Sequence, residues 1–249
     1  MSQLRRRAIR VMTWNIHGAV GRNPRFDLQK VLALILRADP DIVALQEVDS
    51  RRQPGIDPFQ MLQKGLGHYG VGAKTIVTAD GDYGQMLMSR WPPRQTDIRD
   101  ISYGEFEPRR AITARFDTPG GPLHVGATHL GLSVRERHSQ ARALLDMIGD
   151  RTPFVLLGDF NDWLWPGSVR RVLAKVLPGR SRHRTFPSVC PVLRLDRIYC
   201  RPRHLLVQTW TDREARTISD HLPCIGDVLL DESGEQAEGG LELASIAVP

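Results

Sequence analysis

The sequence predicts an α/β protein in which sheets stack face to face and helices cover their outer surfaces. Short apolar runs of strand length recur through most of the 249 residues, whereas only three segments show clear helical spacing or capping. Successive strands with few helices between them favour sheets packed on one another. Polar clusters also follow several of the apolar runs, which indicates that one edge of the sheets gathers functional side chains.

Ten runs are predicted to be strands because each is roughly four to eight residues long, rich in aliphatic side chains and bounded by polar or turn residues. In chain order they are Val11–Trp14, Ile42–Leu45, Val71–Val77, Gln85–Ser89, Ala111–Phe116, Leu123–Thr128, Phe154–Leu157, Leu195–Cys200, Leu205–Trp210 and Pro223–Leu230.

Three helices are predicted from capping residues and apolar periodicity. Asp27 can cap the first helix, which Ala38-Asp39-Pro40 ends, and its apolar face comprises Leu28, Val31, Leu32, Ile35 and Leu36. Ser133 and Glu136 form a capping box for the second helix, and its apolar face comprises Val134, Ala141, Leu144, Leu145 and Ile148. The third helix is a short basic segment over 169–177.

Composition excludes several classes of protein. Apolar and charged fractions are those of an ordinary globular chain, and no apolar run approaches the roughly 20 residues of a membrane helix. Basic residues 5–7 are not followed by a long apolar stretch, so we do not expect a secretory signal. We therefore expect a cytoplasmic location. Cys190, Cys200 and Cys224 lack CxxC spacing and predict neither a disulfide framework nor a zinc site.

Charge divides the chain into residues 1–230, predicted to be the catalytic domain, and an acidic C-terminal tail of residues 231–249. The net charge is +6, but the tail carries five acidic residues and no basic ones, so the rest carries +11. A basic body favours polyanionic partners such as nucleic acid, an anionic membrane or a phosphorylated small molecule. Only four of the 34 basic residues are Lys, so heavy Arg usage reflecting genome composition is an alternative explanation.

Asn15 and Glu47 are candidate metal ligands because each follows a short apolar run. Both supply oxygen atoms, which Mg²⁺ prefers, and Mg²⁺ needs few protein ligands because it keeps several waters. Asp220 is a candidate third ligand. For Asn15 alone, a turn at a strand end is the alternative. An unpaired Glu47 beside Val43-Ala44-Leu45 would be costly, which favours a metal role. The predicted cofactor is therefore Mg²⁺, with Mn²⁺ as a substitute.

Asp159 and Asn161 flank Phe160 directly after an apolar run. In an extended loop their side chains would lie on the same side. An acceptor and a donor aimed at one point could hold an attacking water and bind a phosphoryl oxygen as its charge builds. A common Gly-Asp-x-Asn turn is the alternative, and the preceding strand favours function.

His221 follows Asp220, but adjacent strand residues point to opposite sides, so the two cannot simply pair. Asp196 is the predicted partner that would fix the tautomer and basicity of His221. His129 is predicted to supply a second imidazole as leaving-group acid. Arg109 is a candidate for binding phosphate oxygens. His17 could line the site without a chemical role, and the other histidines are predicted to be surface or packing residues.

Taken in order, six motifs closely resemble the endonuclease/exonuclease/phosphatase superfamily, which includes pancreatic-type deoxyribonucleases, repair exonucleases, neutral sphingomyelinases and inositol polyphosphate phosphatases. The motifs are Trp14-Asn15-Ile16-His17-Gly18, Leu45-Gln46-Glu47-Val48, Thr128-His129-Leu130-Gly131, Gly158-Asp159-Phe160-Asn161-Asp162, Leu195-Asp196-Arg197-Ile198 and Ser219-Asp220-His221-Leu222. The resemblance runs from about Ile9 to Val228 and implies a four-layer α/β/β/α sandwich of two mixed sheets with outer helices.

The resemblance also implies roles for these residues. Asn15 and Glu47 would bind Mg²⁺ with help from Asp220, and Asp159 would position or activate the water. Asn161 would stabilise the pentacovalent transition state, and His221, paired with Asp196, would polarise the phosphate or act as a base. His129 matches the second histidine of the deoxyribonuclease and sphingomyelinase branches. Gln85 departs from the family pattern, which often has Asn at that position.

The predicted function is Mg²⁺-dependent hydrolysis of a phosphodiester by in-line water attack, in a monomer without an obligate protein partner. Residues 185–187 and 195–199 resemble a bacterial subgroup often associated with cardiolipin-synthase systems. This resemblance favours a lipid-related or glycerophosphodiester substrate and a location at the inner membrane surface. Trp163 and Trp165 could lie at a membrane interface, stack on bases or, as the preferred interpretation, pack under their loop.

Two alternatives remain at the level of sequence. The first is a DNA or RNA nuclease with the same site, favoured by the basic body, Arg170-Arg171 and the arginines of residues 180–184. The second is a binding module without catalytic activity, which the completeness of the motif set disfavours.

Overall fold

The computed structural model describes residues 8–20, 26–51, 53, 55–163 and 168–230, which form two six-stranded sheets and four α-helices. In chain order the strands are β1 (Ala8–Asn15), β2 (Ile42–Asp49), β3 (Tyr69–Thr78), β4 (Gly81–Ser89), β5 (Pro93–Asp100), β6 (Arg110–Thr118), β7 (Gly121–His129), β8 (Phe154–Asp159), β9 (Gly179–Arg180), β10 (Asp196–Arg201), β11 (Leu206–Thr211) and β12 (Cys224–Leu229). The helices are α1 (Leu28–Ala38), α2 (Pro58–Leu66), α3 (Val134–Ile148) and α4 (Ser168–Val176), with 3₁₀ helices at His17–Ala19, Arg203–Leu205 and Arg213–Thr217.

The strand order is β11-β12-β1-β2-β4-β3 in the first sheet and β5-β6-β7-β8-β10-β9 in the second. Three apolar clusters define four layers. Side chains from both sheets meet in the central cluster, among them Val11, Ala44, Leu87, Ile112, Val125 and Val155. Helices α1 and α2 cover the outer face of the first sheet, and α3 and α4 cover that of the second. The predicted α/β/β/α sandwich is therefore confirmed.

The almost continuously apolar sequences of β1 and β2 are explained by the burial of both faces of these strands. Val11 and Ala44 point into the central cluster, whereas Met12 and Val43 point toward α1. Successive side chains of a strand face opposite sides, so a strand buried on both faces needs an apolar residue at nearly every position.

Each sheet has one parallel strand pair near its centre, β1 with β2 and β7 with β8. The other strand pairs are antiparallel. The carboxyl ends of both parallel pairs lie at one edge of the sandwich, where Asn15 of β1 contacts Asp159 of β8. This edge is called the site edge below. Crevices outside the carboxyl ends of parallel strands are common positions for ligand sites.

All ten predicted strands and all three predicted helices are present, with shifted ends. Helix α2 and strands β5 and β9 were not predicted. Helix α2 is short, although Asp57 caps it and Pro58 begins it. Strand β5 lacks an apolar pattern because it is a largely exposed edge strand, and β9 has two residues.

The predicted apolar faces of two helices were partly wrong. In α1, Leu34 is buried and Leu36 is 52% exposed. In α3, Val134 is exposed, whereas the polar residues Arg137 and Gln140 are buried. The reason is that Arg137 donates to the carbonyl of Leu132 and Gln140 accepts from the amide of Gly131, so polar side chains anchor the loop after β7.

None of the described helices has both the length and the apolar character needed to cross a bilayer. The basic residues at the N-terminus, Trp165 and the acidic tail 231–249 lie outside the described residues.

Candidate active site

Every residue predicted from the sequence as a metal ligand or catalytic group lies at the site edge. Strands β1, β2, β7 and β8 carry Asn15, Glu47, His129 and Asp159 at or near their carboxyl ends. Asn161 follows β8, Asp196 begins β10, and Asp220 and His221 precede β12. The fold thus brings together groups that are up to about two hundred residues apart in sequence.

The backbone is in an unusual conformation at several of these positions. Glu47 and Asn161 have φ values of +55° and +47°, and His17 has +48°. In β2, the register against β4 shifts between Leu45 and Val48, which forms a bulge at Glu47. Left-handed backbone in non-glycine residues costs on the order of 1–3 kcal/mol, and bulges redirect side chains next to active sites. The tertiary structure therefore holds Glu47 and Asn161 in orientations that local preference disfavours.

Asn15 connects the two sheets through its amide. Its Nδ2 donates to Glu47 Oε1 at 2.8 Å and to Asp159 Oδ2 at 3.1 Å, and its Oδ1 accepts from the backbone N of His17 at 3.0 Å. The oxygen predicted to bind a metal is thus directed away from Glu47. A ligand role for Asn15 requires the amide to rotate by a half turn and give up the bond from His17.

Glu47 and Asp220 converge on the imidazole of His17. Glu47 Oε2 and Asp220 Oδ1 each lie 3.6 Å from His17 Nδ1. Burial alone would raise the pKa of Glu47, but the contact with His17, the nearby His129 and the hydrogen bond from Asn15 outweigh it and lower the pKa to about 2. The contact with Glu47 raises the pKa of His17 above its ordinary value. Two carboxylates that converge on one imidazole nitrogen concentrate negative charge at one point, which suits the binding of a cation.

His221 and Asp196 form the pair that the sequence predicted. His221 Nδ1 lies 2.8 Å from Asp196 Oδ2 and 3.9 Å from Asp159 Oδ2. Burial alone would lower the pKa of His221, but the charges of Asp196 and Asp159 raise it to about 10. The imidazole is therefore cationic at neutral pH, which favours polarising the phosphate over acting as a base. Within the described chain no group hydrogen-bonds its Nε2, so that nitrogen remains available to a substrate.

The environment of Asp159 favours its neutral form, whereas that of His221 favours the charged form. It is almost fully buried, and burial raises the pKa of its carboxyl to about 6. Its Oδ1 accepts from the backbone N of Asn161 at 3.0 Å. A carboxylate with a pKa near the working pH can accept a proton efficiently. Asp159, Asp196 and His221 also lie close enough to hold a metal, with ligand atoms within 4.8 Å of one another. Because Asp196 already binds His221 Nδ1, however, this cluster is better explained as a hydrogen-bonded proton-transfer group.

His129 lies between two donors. Arg109 Nη1 is 3.1 Å from its Nδ1, and Asn161 Nδ2 is 3.3 Å from its Nε2. A neutral imidazole accepts at one nitrogen, and the charged, closer Arg109 makes that nitrogen Nδ1. Burial, followed by the charge of Arg109, lowers the pKa of His129 to about 3. A neutral ring with its proton on Nε2 can donate a hydrogen bond, but this environment opposes the predicted role as leaving-group acid.

Arg109 is also placed differently from the predicted phosphate ligand. It is 6% exposed, and its Nη1 contacts both His129 and Glu107 Oε1, the latter at 3.0 Å. This position favours orienting His129 over binding phosphate directly. Glu107 was not singled out in the sequence, because its loop has no periodic pattern or motif.

We expect Arg109→Gln to raise the pKa of His129 from about 3, because the nearby positive charge is removed. Burial will still hold the pKa below the ordinary value of about 6.5. A histidine NMR titration measures this shift, and His129→Gln identifies the resonance. An imidazole that titrates near pH 6.5 in the unsubstituted protein would contradict the assignment of a neutral, buried ring.

Several residues position the site without having been predicted to do so. Thr185 Oγ1 accepts from the backbone N of Asp196 at 3.1 Å. Ser219 Oγ donates to the carbonyl of Asn15 at 2.8 Å and accepts from the backbone N of His221 at 3.1 Å. Ser219 belongs to one of the six motifs and Thr185 to residues 185–187, but their tertiary partners could not be inferred from the sequence. Gln85 donates to the carbonyl of Arg110, and its Oε1 has no hydrogen-bond partner.

A cavity of about 410 Å³ lies beside Glu47 and is also lined by His17, Tyr83 and Glu107. A larger cavity of about 570 Å³ is lined by residues that include Arg180, Arg182 and Arg203. The smaller cavity reaches the candidate active site through Glu47 and His17, whereas none of the described residues that line the larger cavity is a carboxylate or imidazole. Trp163 is 50% exposed, so the preferred interpretation that it packs under its loop was wrong.

Comparisons with known proteins agree with this geometry. Residues 12–221 match the endonuclease/exonuclease/phosphatase family. The chain is 31% identical to the uncharacterised protein YbhP of Escherichia coli K12 over 251 residues, which cover 90% of this chain and 97% of YbhP. It is also similar to an endonuclease/exonuclease/phosphatase structure from Beutenbergia cavernae, at 25% identity and a TM-score of 0.74, covering 90% of this chain and 72% of the other.

A mannosyl-6-phosphatase from Bacteroides thetaiotaomicron shares the fold at 18% identity and a TM-score of 0.68, covering 89% of this chain and 100% of the other. Since the family match spans most of the sequence, the resemblance of the six ordered motifs is confirmed. The chain belongs to the endonuclease/exonuclease/phosphatase family of phosphoric ester hydrolases.

Proposed function

We propose that the protein is a Mg²⁺-dependent phosphodiesterase that cleaves a P–O bond by in-line attack of water. One observation carries this proposal: a pair of converging carboxylates, Glu47 and Asp220, lies next to the buried Asp159 and the cationic His221. A proton acceptor (Asp159), a hydrogen-bond donor (His221) and a cation site (Glu47 and Asp220) thus lie next to one another, and hydrolysis of a charged ester requires all three.

The donor set fits a hard divalent cation. Glu47 is ionised, Asp220 is partly exposed, and both supply carboxylate oxygens directed at one point. Asn15 would join them once its amide has rotated. Mg²⁺ held there, with Mn²⁺ as a substitute, would supply positive charge that neutralises the phosphate and lowers the pKa of the attacking water.

The side chains around the cation site divide the remaining tasks. Asp159, oriented by the backbone N–H of Asn161, accepts a proton from the attacking water as the P–O bond to the leaving group breaks, and the leaving oxygen takes its proton from solvent. His221 donates from Nε2 to a non-bridging phosphate oxygen and keeps its charge because Asp196 binds its other nitrogen. Asn161 Nδ2 donates one hydrogen to the carbonyl of Leu130 at 2.8 Å and has a second for a phosphoryl oxygen. His129 is a further hydrogen-bond donor through its Nε2. Several positioned N–H groups can therefore stabilise the negative charge that develops in the transition state.

We prefer a lipid-related or glycerophosphodiester substrate. Support comes from the resemblance of residues 185–187 and 195–199 to the subgroup named above. The exposed Trp163, two residues beyond Asn161, adds further support. A nuclease is the second candidate, because Arg170, Arg182, Arg184 and Arg197 lie close enough to Arg194 to repel its charge.

A substrate panel with and without metal tests the reaction class. We expect turnover of bis-p-nitrophenyl phosphate to exceed that of p-nitrophenyl phosphate, to disappear with EDTA, and to return with Mg²⁺ or Mn²⁺. Plasmid DNA and phospholipid vesicles in the same panel separate the two candidate substrates. Turnover of the monoester without the diester would show that the protein is a phosphomonoesterase.

Thermal unfolding tests the metal site without relying on activity. A ligand that binds the folded state alone raises the melting temperature, so Mg²⁺ is expected to do so for the unsubstituted protein and much less for Glu47→Gln. Asp117→Asn is the control, because Asp117 lies near the far end of β6 and pairs with Arg94 at 2.7 Å. An equal Mg²⁺ shift in all three proteins would place the cation elsewhere.

A further inference from the structure

Exposed apolar side chains are concentrated on the loops around the candidate active site. Six of the thirteen large apolar side chains exposed in the described chain lie on these loops. They are Tyr103 and Phe106 between β5 and β6, Leu132 after β7, Trp163 after β8, and Val189 and Val192 before β10. These six residues are called the apolar rim. All four loops are attached to strand ends at the site edge, so the rim lies at the same edge of the sandwich as Asp159 and His221.

The exposure of the rim is substantial. Leu132 is 69% exposed, Val192 56% and Trp163 50%. The rings of Tyr103 and Phe106 stack with centroids 6.2 Å apart, which keeps both at the surface as one unit. Scattered exposed apolar residues are normal, but several gathered around one opening mark a surface that contacts a partner.

A group of arginines adjoins the rim. Arg194 lies between Val192 of the rim and Asp196 of the site. Its pKa is lowered by burial and then by the charges of the neighbouring Arg197, Arg184, Arg170 and Arg182. Arg182, Arg184 and Arg194 are all exposed, so their charge is directed at solvent. An anionic partner would relieve this repulsion.

We propose that the site edge docks on the surface of an anionic lipid bilayer, with the apolar rim entering the interface and the arginines binding headgroup phosphates. The headgroup phosphodiester would then lie in front of Asp159 and His221, an assignment of substrate that rests on the proposed function. Aromatic and aliphatic side chains beside clustered basic residues are typical of proteins that lie on membranes.

The aliphatic part of the rim favours a membrane over a nucleic acid. Bases stack on aromatic rings and arginines, which the surface also offers. Leu132, Val189 and Val192 have no flat face on which a base could stack, and beside a phosphate backbone they would remain in contact with water. In a bilayer interface the apolar surfaces of all six rim residues are removed from water. A single partner, the bilayer, therefore explains why all six are exposed in the free protein.

Co-sedimentation with vesicles in EDTA measures docking separately from hydrolysis. We expect the protein to bind phosphatidylcholine vesicles that contain phosphatidylglycerol more tightly than vesicles of phosphatidylcholine alone. Leu132→Ser combined with Val192→Ser is expected to weaken binding roughly tenfold or more. Replacing Arg182, Arg184 and Arg194 by Gln should remove the preference for the anionic lipid. The matched control combines Leu36→Ser with Val207→Ser, which are 52% and 54% exposed on α1 and β11, and should bind as the unsubstituted protein does.

Three results would overturn the docking proposal: no binding to the anionic vesicles, equal weakening in the control, or tight binding to single-stranded DNA that the serine substitutions leave unchanged.

Turnover of bis-p-nitrophenyl phosphate separates this proposal from the proposed function. The rim substitutions should leave it unchanged, which also shows that the variants fold. An unsubstituted protein that binds vesicles but hydrolyses no diester would contradict the proposed function and leave the docking surface in place.

Discussion

Asp159→Asn is expected to lower kcat for bis-p-nitrophenyl phosphate by about 10²–10⁴-fold, the usual contribution of a general base. The amide keeps nearly the same shape and can still accept from the backbone N of Asn161, but it cannot accept the proton of the attacking water. We therefore expect a folded protein, with a circular dichroism spectrum close to that of the unsubstituted chain, that has lost turnover.

The pH dependence gives this prediction a second measurement. Burial raises the pKa of Asp159 to about 6, so the carboxylate becomes the ionised, proton-accepting form only as the pH rises through that value. At saturating Mg²⁺, kcat/KM should rise with an apparent pKa at or below about 6, because a nearby cation favours the carboxylate. The residual rate of Asp159→Asn should lack this rise.

Asp162→Asn is the matched control, since Asp162 is buried in the same loop and its Oδ2 accepts from the backbone N of Arg170 at 3.0 Å. It should change turnover by no more than a few-fold. If Asp159→Asn kept full turnover, another group would have to accept the proton, and the proposed division of tasks would be wrong.

Asp196→Asn is expected to lower both activity and stability. The carboxylate binds His221 Nδ1 at 2.8 Å and is completely buried, so its loss leaves the imidazole without its counterion. Removing one partner of a buried pair costs roughly 3–5 kcal/mol. We expect kcat to fall by about 10²-fold or more, because a neutral His221 polarises the phosphate less effectively.

The stability loss should depend on pH in a definite direction. The folded-state pKa of His221 is raised to about 10 from an ordinary value of 6.5, so its protonated form stabilises the folded protein. That stabilisation is complete below pH 6.5 and disappears as the pH rises through about 10. The difference in melting temperature between the unsubstituted protein and Asp196→Asn should therefore be largest near pH 6 and shrink toward pH 10.

Asp227→Asn is the control that separates the loss of stability expected for Asp196→Asn from its loss of activity. Asp227 of β12 accepts from Arg10 of β1 at 2.9 Å in a largely buried pair, away from the site edge. We expect it to lower the melting temperature and leave kcat unchanged. If Asp196→Asn behaved in the same way, Asp196 would have a structural role alone.

Much of the fold followed from local patterns. The strands β1, β2 and β8 were predictable because both of their faces are buried, and α1 because Asp27 caps it. Strand β5 escaped prediction because hydrogen bonds to β6, rather than apolar burial, hold it in place. Leu34 could not be distinguished from Leu36 by periodicity, since only packing against the first sheet decides which side of α1 is buried.

The sequence by itself determined which chemical groups stand at the strand ends: oxygen ligands at Asn15 and Glu47, a carboxylate at Asp159, and an imidazole at His221. Only the tertiary structure decided their protonation and orientation. It makes His221 cationic and His129 neutral, and it directs the Asn15 amide nitrogen toward Glu47. The physical reason is that burial and the nearest charges set a pKa, and for these residues those neighbours lie on other strands, at distances in sequence that no local pattern records.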